Sequence, residues 1–164
     1  MNGPITHKTV DGIDRTLILP VYIDDLLLIG DKALTDNFER WMPQYFETTP
    51  PSDAEYFLGL KLHRDRTAEH PWLTLDQHQF IEIILKHFNA RETKAATPLS
   101  TSFRALPNPE PKEANDPAFV HAYQSKLGSL MYLMLGTRPD LAYSVRVLRH
   151  FSSNPTADHM ATID

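Results

Sequence analysis

Apolar positions fall in short blocks along the chain, and the period within each block sets the element it predicts. Residues 16–23 (TLILPVYI) and 26–29 (LLLI) are nearly continuous apolar runs separated only by Asp24 and Asp25. Runs rich in Ile, Leu, Val and Tyr around a two-residue polar break predict a β-hairpin. Pro20 cannot donate to a ladder, so it predicts an edge position or a bulge. After Gly30 the period lengthens. Leu34, Phe38, Trp41 and Met42 share one face of a helix predicted over 33–45, with Asp31 or Thr35 as its cap and Pro43 to end or kink it. Residues 55–63 (EYFLGLKLH) predict a strand, 64–71 a polar turn, and 72–75 a short returning strand. Asp76 then caps a helix over 77–88, whose Phe80, Ile81, Ile84, Leu85 and Phe88 keep helical spacing, and Asn89 suits its end.

Proline marks the main boundary. Pro98, Pro107, Pro109, Pro111 and Pro117 concentrate in one stretch, and 93–116 reads as an extended, exposed linker. Beyond it, 117–135 and 139–151 predict two helices broken at Gly136 and Thr137, with Pro139 in the first turn, where a helix accepts it. Tyr123, Leu127, Leu130, Met131, Met134 and Leu135 form one apolar stripe; Leu141, Val145 and Leu148 form another. The fold class this predicts is α+β.

The 164 residues suffice for a core of ordinary size. Sixteen Lys+Arg against twenty-one Asp+Glu leave a formal charge of -5, which argues against a general cationic nucleic-acid binder but not against a local groove. The absence of cysteine excludes disulfides, zinc knuckles and thiol nucleophiles. The polar first fourteen residues lack the apolar core of a secretory signal, and the longest apolar run, 130–135, is far short of a membrane span. A soluble, intracellular chain with no membrane partner is the expectation.

Of the chemistry-bearing patterns, Tyr22-Ile23-Asp24-Asp25 between two apolar strands is the sharpest. Adjacent carboxylates at a hairpin tip repel unless a cation or proton lies between them. Mg²⁺, or Mn²⁺ in its place, is a hard cation that takes such oxygen ligands. A solvated acidic turn is the plain alternative; the flanking apolar strands and the nearby Tyr favour the metal-binding one. The eight histidines, His159 included, make no HExxH motif and read as surface or packing residues. No Gly-x-Ser-x-Gly elbow supports acyl transfer, and six scattered glycines make no phosphate loop. Basic residues gather twice, at Lys61, His63, Arg64 and Arg66 and at Lys126, Arg138, Arg146 and Arg149. Each group is either a solvated face or a line of phosphate contacts.

VYIDDLLLIG resembles the Tyr-x-Asp-Asp hairpin of reverse transcriptases, specifically those of copia-type LTR retrotransposons. The resemblance continues through EYFLGLK (55–61), LTLDQHQFIEIILKHF (73–88), Thr97-Pro98-Leu99 and YQSKLGSLMYLMLGTRPDLAYSVRVLRHFSSNP (123–155), in the same order. It implies an RNA-directed DNA polymerase performing Mg²⁺-dependent nucleotidyl transfer on an RNA or DNA template–primer with dNTPs. In that frame Asp24 is a metal ligand and Asp25 supports the metal site less directly. Tyr22 lies by the primer terminus, and the two basic groups contact nucleic acid. The resemblance divides the chain into the C-terminal part of a palm (1–92), the linker (93–116) and a helical thumb/connection segment (117–164) that ends before RNase H. It also implies a location in the cytoplasm, a virus-like particle or the nucleus.

Only twenty-one residues precede Tyr22 here. The fingers, the first palm strands and a further catalytic Asp precede the hairpin in that family, and Asp11 and Asp14 are the upstream acids present. The expectation is therefore an internal piece of a Pol polyprotein whose partners are the missing N-terminal half and the RNase H domain, inactive when isolated. Its uncovered apolar hairpin predicts self-association. A non-catalytic remnant that binds nucleic acid or protein is the alternative.

Overall fold

The computed structural model describes residues 5–10, 13–90, 96–111 and 115–163. The chain forms two compact units, Met1–Leu73 and Thr74–Asp164. The division therefore falls ahead of the helix after Asp76, not in the proline-rich stretch. That stretch, where described, belongs to the second unit, whose residues it contacts.

In the first unit β1 (Ile5–Val10) pairs antiparallel with β2 (Ile13–Ile18), from Ile5↔Ile18 to Val10↔Ile13. β2 also pairs with the short β5 (Ile29–Gly30). The apolar run at 16–23 is thus not one strand. It breaks at Leu19 and Pro20, where proline has no N–H to give, and resumes as β3 (Val21–Tyr22) opposite β4 (Asp25–Leu26). The Pro20 carbonyl still accepts from the Leu27 N–H (3.1 Å), which closes the base of the hairpin. α1 (Lys32–Trp41) follows, capped by the Asp31 carboxylate on the Ala33 N–H (2.9 Å), and Pro43 turns its end into a 3₁₀ turn. The strand predicted over 55–63 is instead a hairpin of β6 (Tyr56–Phe57) and β7 (Leu60–Asp65). Its turn residues Leu58 and Gly59 both take positive φ, 53° and 73°, the geometry of a tight two-residue turn. β8 (Trp72–Asp76) completes a sheet of order β6-β7-β8.

Little of the first unit is buried. Among the described residues, Leu17 and Leu34 are its buried apolar side chains, whereas Val21, Ile23, Tyr45 and Phe46 are more than half exposed.

The second unit is helical and has the larger core. Asp76 Oδ1 accepts from the His78 N–H at the start of α2 (His78–His87), as the sequence predicts, and Asn89 takes positive φ past its end. α3 (Pro117–Gly136) packs against α4 (Ala142–Arg149) and α5 (Ala157–Ile163), with a 3₁₀ turn at Pro139–Leu141. Tyr123 and Leu127 of α3 meet Val145 and Leu148 of α4, and Phe103, Leu130, Met134 and Met160 surround them.

Gln77, only 2% exposed, ties α2 to the end of α3. Its Nε2 donates to the Tyr132 carbonyl (3.3 Å), and its Oε1 accepts from the Thr137 hydroxyl (2.9 Å). A Cβ on Gly136 would occupy the place of that carboxamide. Gly136→Ala should therefore expel Gln77 and strand its partners, costing about 1–3 kcal/mol. Urea unfolding followed at α3 is the check, and an unchanged midpoint would show that the contact is not needed. No helix among the described residues is long and apolar enough to cross a membrane.

Candidate functional site

The acidic hairpin is built from four residues. Val21 pairs with Leu26 and Tyr22 with Asp25, so the turn residues are Ile23 and Asp24, one position earlier than the Asp24-Asp25 break in the sequence suggests. Ile23 has φ 52°. A β-branched residue in the left-handed region costs on the order of 1–3 kcal/mol. Its side chain is 80% exposed, so burial does not offset that strain. Asp24 thus stands in a strained turn, while Asp25 is held in the β3–β4 pairing. Tyr22, directly across from Asp25, leaves half its surface to solvent.

Asp24 and Asp25 line one open groove of the first unit together with Lys32, Asp53, Arg64 and Arg66. The groove therefore carries carboxylates and guanidiniums at once. Arg64 pairs with Asp53 (2.7 Å), and Arg66 reaches the same carboxylate at 3.9 Å. Asp53 is largely exposed, and exposed pairs contribute little, so either guanidinium can exchange it for another anion. Lys61, the third cation of this group, lies over the Tyr56 ring at 5.8 Å.

The second basic group does not act as one. Lys126 sits over the Phe88 ring (5.7 Å), and desolvation lowers its pKa, which marks it as a packing residue. Arg138 is held by both oxygens of Asp140 (3.0 and 2.9 Å). That contact raises the Arg138 pKa and lowers that of Asp140. Arg146 and Arg149 are exposed on α4 with no ion-pair partner among the described residues. Tyr143, 71% exposed and one turn before Arg146, extends their face. Sequence reading passed over Tyr143, although it falls off the Leu141, Val145 and Leu148 stripe and so had to point outward.

Two adjacent carboxylates suit a hard divalent cation, since Mg²⁺ is often held by one or two carboxylates with water and substrate phosphates. Among the described residues, however, no group of three or more His, Asp or Glu side chains gathers where it could hold a metal. Asp14 is exposed on β2, and Asp11 lies outside the described residues. Among the described residues, Asp24 and Asp25 are thus joined by no third carboxylate or imidazole.

Transposon proteins are among the known proteins that this chain resembles. The chain is 35% identical over 152 residues to the retrovirus-related Pol polyprotein from transposon TNT 1-94 of Nicotiana tabacum, covering 90% of this chain and 11% of that protein. It is 31% identical over 144 residues to that from transposon RE1 of Arabidopsis thaliana, covering 87% and 9%. A putative transposon Ty5-1 protein of Saccharomyces cerevisiae is 25% identical over 161 residues, covering 97% and 49%. The chain thus spans about a tenth of the length of the two plant polyproteins. No protein-family model matches it. No solved structure matches it. The similarity supports a retrotransposon-derived sequence related to Pol polyproteins.

Proposed function

We propose that this chain carries the catalytic-hairpin portion of a copia-type reverse transcriptase and the helical segment that follows it. The observation that supports this best is the strained turn at Ile23, which holds Asp24 and Asp25 exposed at one lip of a groove that also carries Arg64 and Arg66. Divalent metal, when bound, would supply the positive charge that activates a primer 3′-hydroxyl and stabilises a departing pyrophosphate. Asp24 supplies a metal ligand from the turn, and Asp25 steadies the hairpin and its charge from β4. Tyr22 offers an exposed ring to the primer end. Arg64 and Arg66 take phosphates in exchange for Asp53, and Arg146 and Arg149 offer sequence-independent phosphate contacts on α4. In this reading the apolar residues left open in the first unit are covered by other parts of the polymerase. In the isolated chain they drive self-association.

Because the described residues assemble only two of the carboxylates needed, the 164 residues alone should give no primer extension. The test is a chimera, in which this segment replaces the matching part of an active copia-type polymerase. Oligo(dT)-primed poly(rA) extension in Mg²⁺ should stay within about tenfold of the parent, a barrier change of about 1.4 kcal/mol. A folded chimera without extension would overturn the reading. A second reading, a non-catalytic nucleic-acid-binding remnant, draws on the exposed Arg146 and Arg149; salt-sensitive binding by an inactive chimera would favour it.

A further inference from the structure

Of the two roles the sequence allows its histidines, surface or packing, His159 takes packing: it is 2% exposed. Thr156 and His159 form a reciprocal cap at the start of α5. The Thr156 N–H donates to His159 Nδ1 (3.0 Å), and the His159 N–H donates to Thr156 Oγ1 (3.2 Å). This is the geometry of a capping box, with histidine in the place that Glu or Gln commonly holds. Since Nδ1 accepts a hydrogen bond, the ring in this arrangement is neutral.

The same ring supports a second element. It stacks on Phe151 (3.9 Å between centroids, 18° between planes) and meets Phe103 edge-on (6.1 Å). Phe103 and Leu106 belong to the proline-rich stretch. That stretch is fastened beside His159 by an amide cluster. Asn108 and Asn115 each donate to Asn154 Oδ1 (3.3 and 2.5 Å) and to the Pro155 carbonyl (3.4 and 3.0 Å), and Asn154 donates back to the Glu110 carbonyl (3.0 Å). Residues 103–110 are thus a strap laid over the turn between α4 and α5.

We propose that His159 is an acid-released clasp, which while neutral caps α5 and holds the 103–110 strap, and on protonation gives up both. A proton on Nδ1 would face the Thr156 N–H donor to donor, and the cation would be buried, with the Asp158 carboxylate acting on it through space. Among the described residues, the charged or titratable groups on the elements around it are Arg104 and Glu110 on the strap, Asp158 on α5, Tyr143, Arg146, Arg149 and His150 on α4 and at its end, and His121, Tyr123, Lys126 and Tyr132 on α3. Of these, Asp158 favours the cation through space, as does the Leu106 backbone. Desolvation outweighs both and lowers the His159 pKa below the ordinary imidazole value. A histidine whose folded pKa is depressed contributes stability above its unfolded pKa and loses it as pH falls below about 6.5.

The experiment is an NMR titration of the whole chain through the acid range, in the wild type and in His159→Gln. Gln keeps an acceptor that can reach the Thr156 N–H but cannot titrate. In the wild type, His159 should titrate below the exposed histidines, and the amide signals of Leu106 and Asn108 should move or broaden with it. In His159→Gln those strap signals should stay in place over the same range. Titration of His159 at or above the exposed histidines, or a strap that ignores its protonation, would overturn the proposal. So would a strap transition that persists in His159→Gln. If that variant does not fold, the wild-type comparison of imidazole and strap signals decides alone.

Discussion

Tyr123→Ala should cost the helical unit about 3–5 kcal/mol, the range for truncating a large buried aromatic. Tyr123 has no exposed surface and is the largest of the fully buried side chains. It touches the part of the core where α3 meets α4, and its hydroxyl donates to the Leu148 carbonyl (2.8 Å). Truncation removes the ring contacts, opens a cavity between two helices and leaves that carbonyl short of a partner. Domains of this size have about 5–15 kcal/mol in total, so the loss is a large share of the unit's stability. Amide-exchange protection over α3 and α4 in the full chain is the measurement. Retention of full protection would mean that the Tyr123 cluster is not the centre of the core.

The hydroxyl can be separated from the ring. Tyr123→Phe should cost only about 0.5–1.5 kcal/mol, the net contribution of one hydrogen bond. Burial pushes the Tyr123 phenol up to about 12, so it stays protonated in the folded unit while an unfolded tyrosine ionises near 10. Unfolding above pH 10 therefore releases a proton, and stability falls as pH rises from about 10 to 12. The wild type should lose more of its stability than Tyr123→Phe does across that window.

Much of the second unit was legible because its signals are local and repetitive. The stripe from Tyr123 to Met134 and that of Leu141, Val145 and Leu148 are the two faces that meet in the core. The Asp76 and Asp31 caps follow from short side chains reaching back to a helix start. The first unit was less legible, since its strands are two to six residues long and proline and glycine decide where they stop. Pro20 split one apolar run into two strands, and Leu58-Gly59 folded another into a hairpin. β1 was missed because its six residues look polar, although Asp11-Gly12 between β1 and β2 is a common hairpin dipeptide. The prolines of the strap predict an exposed segment, and most of its residues are exposed; what has no local signal is its attachment. What fastens it are three asparagines and a histidine scattered over the sequence from 108 to 159, a tertiary arrangement with no local period.

The site divides the same way. The Asp24-Asp25 pair is visible as a polar break in an apolar run, but which of the two occupies the turn depends on register. That register has a consequence for chemistry. In the chimeric polymerase, Asp24→Asn should reduce extension about a thousandfold or more, a barrier increase of about 4 kcal/mol. Asn keeps the size of Asp and one acceptor oxygen and removes the charge that would ligate a divalent metal, so the exposed turn should keep its fold. Asp25 lies in β4 opposite Tyr22 and is assigned the supporting role. Asp25→Asn should therefore cost less, about 10–100-fold, the usual effect of losing an outer partner of a metal site. Raising Mg²⁺ should recover part of the Asp25→Asn loss and little of the Asp24→Asn loss. Equal losses in the two variants would show that the turn register does not separate their roles. Full activity of Asp24→Asn would remove the hairpin from the catalytic site altogether.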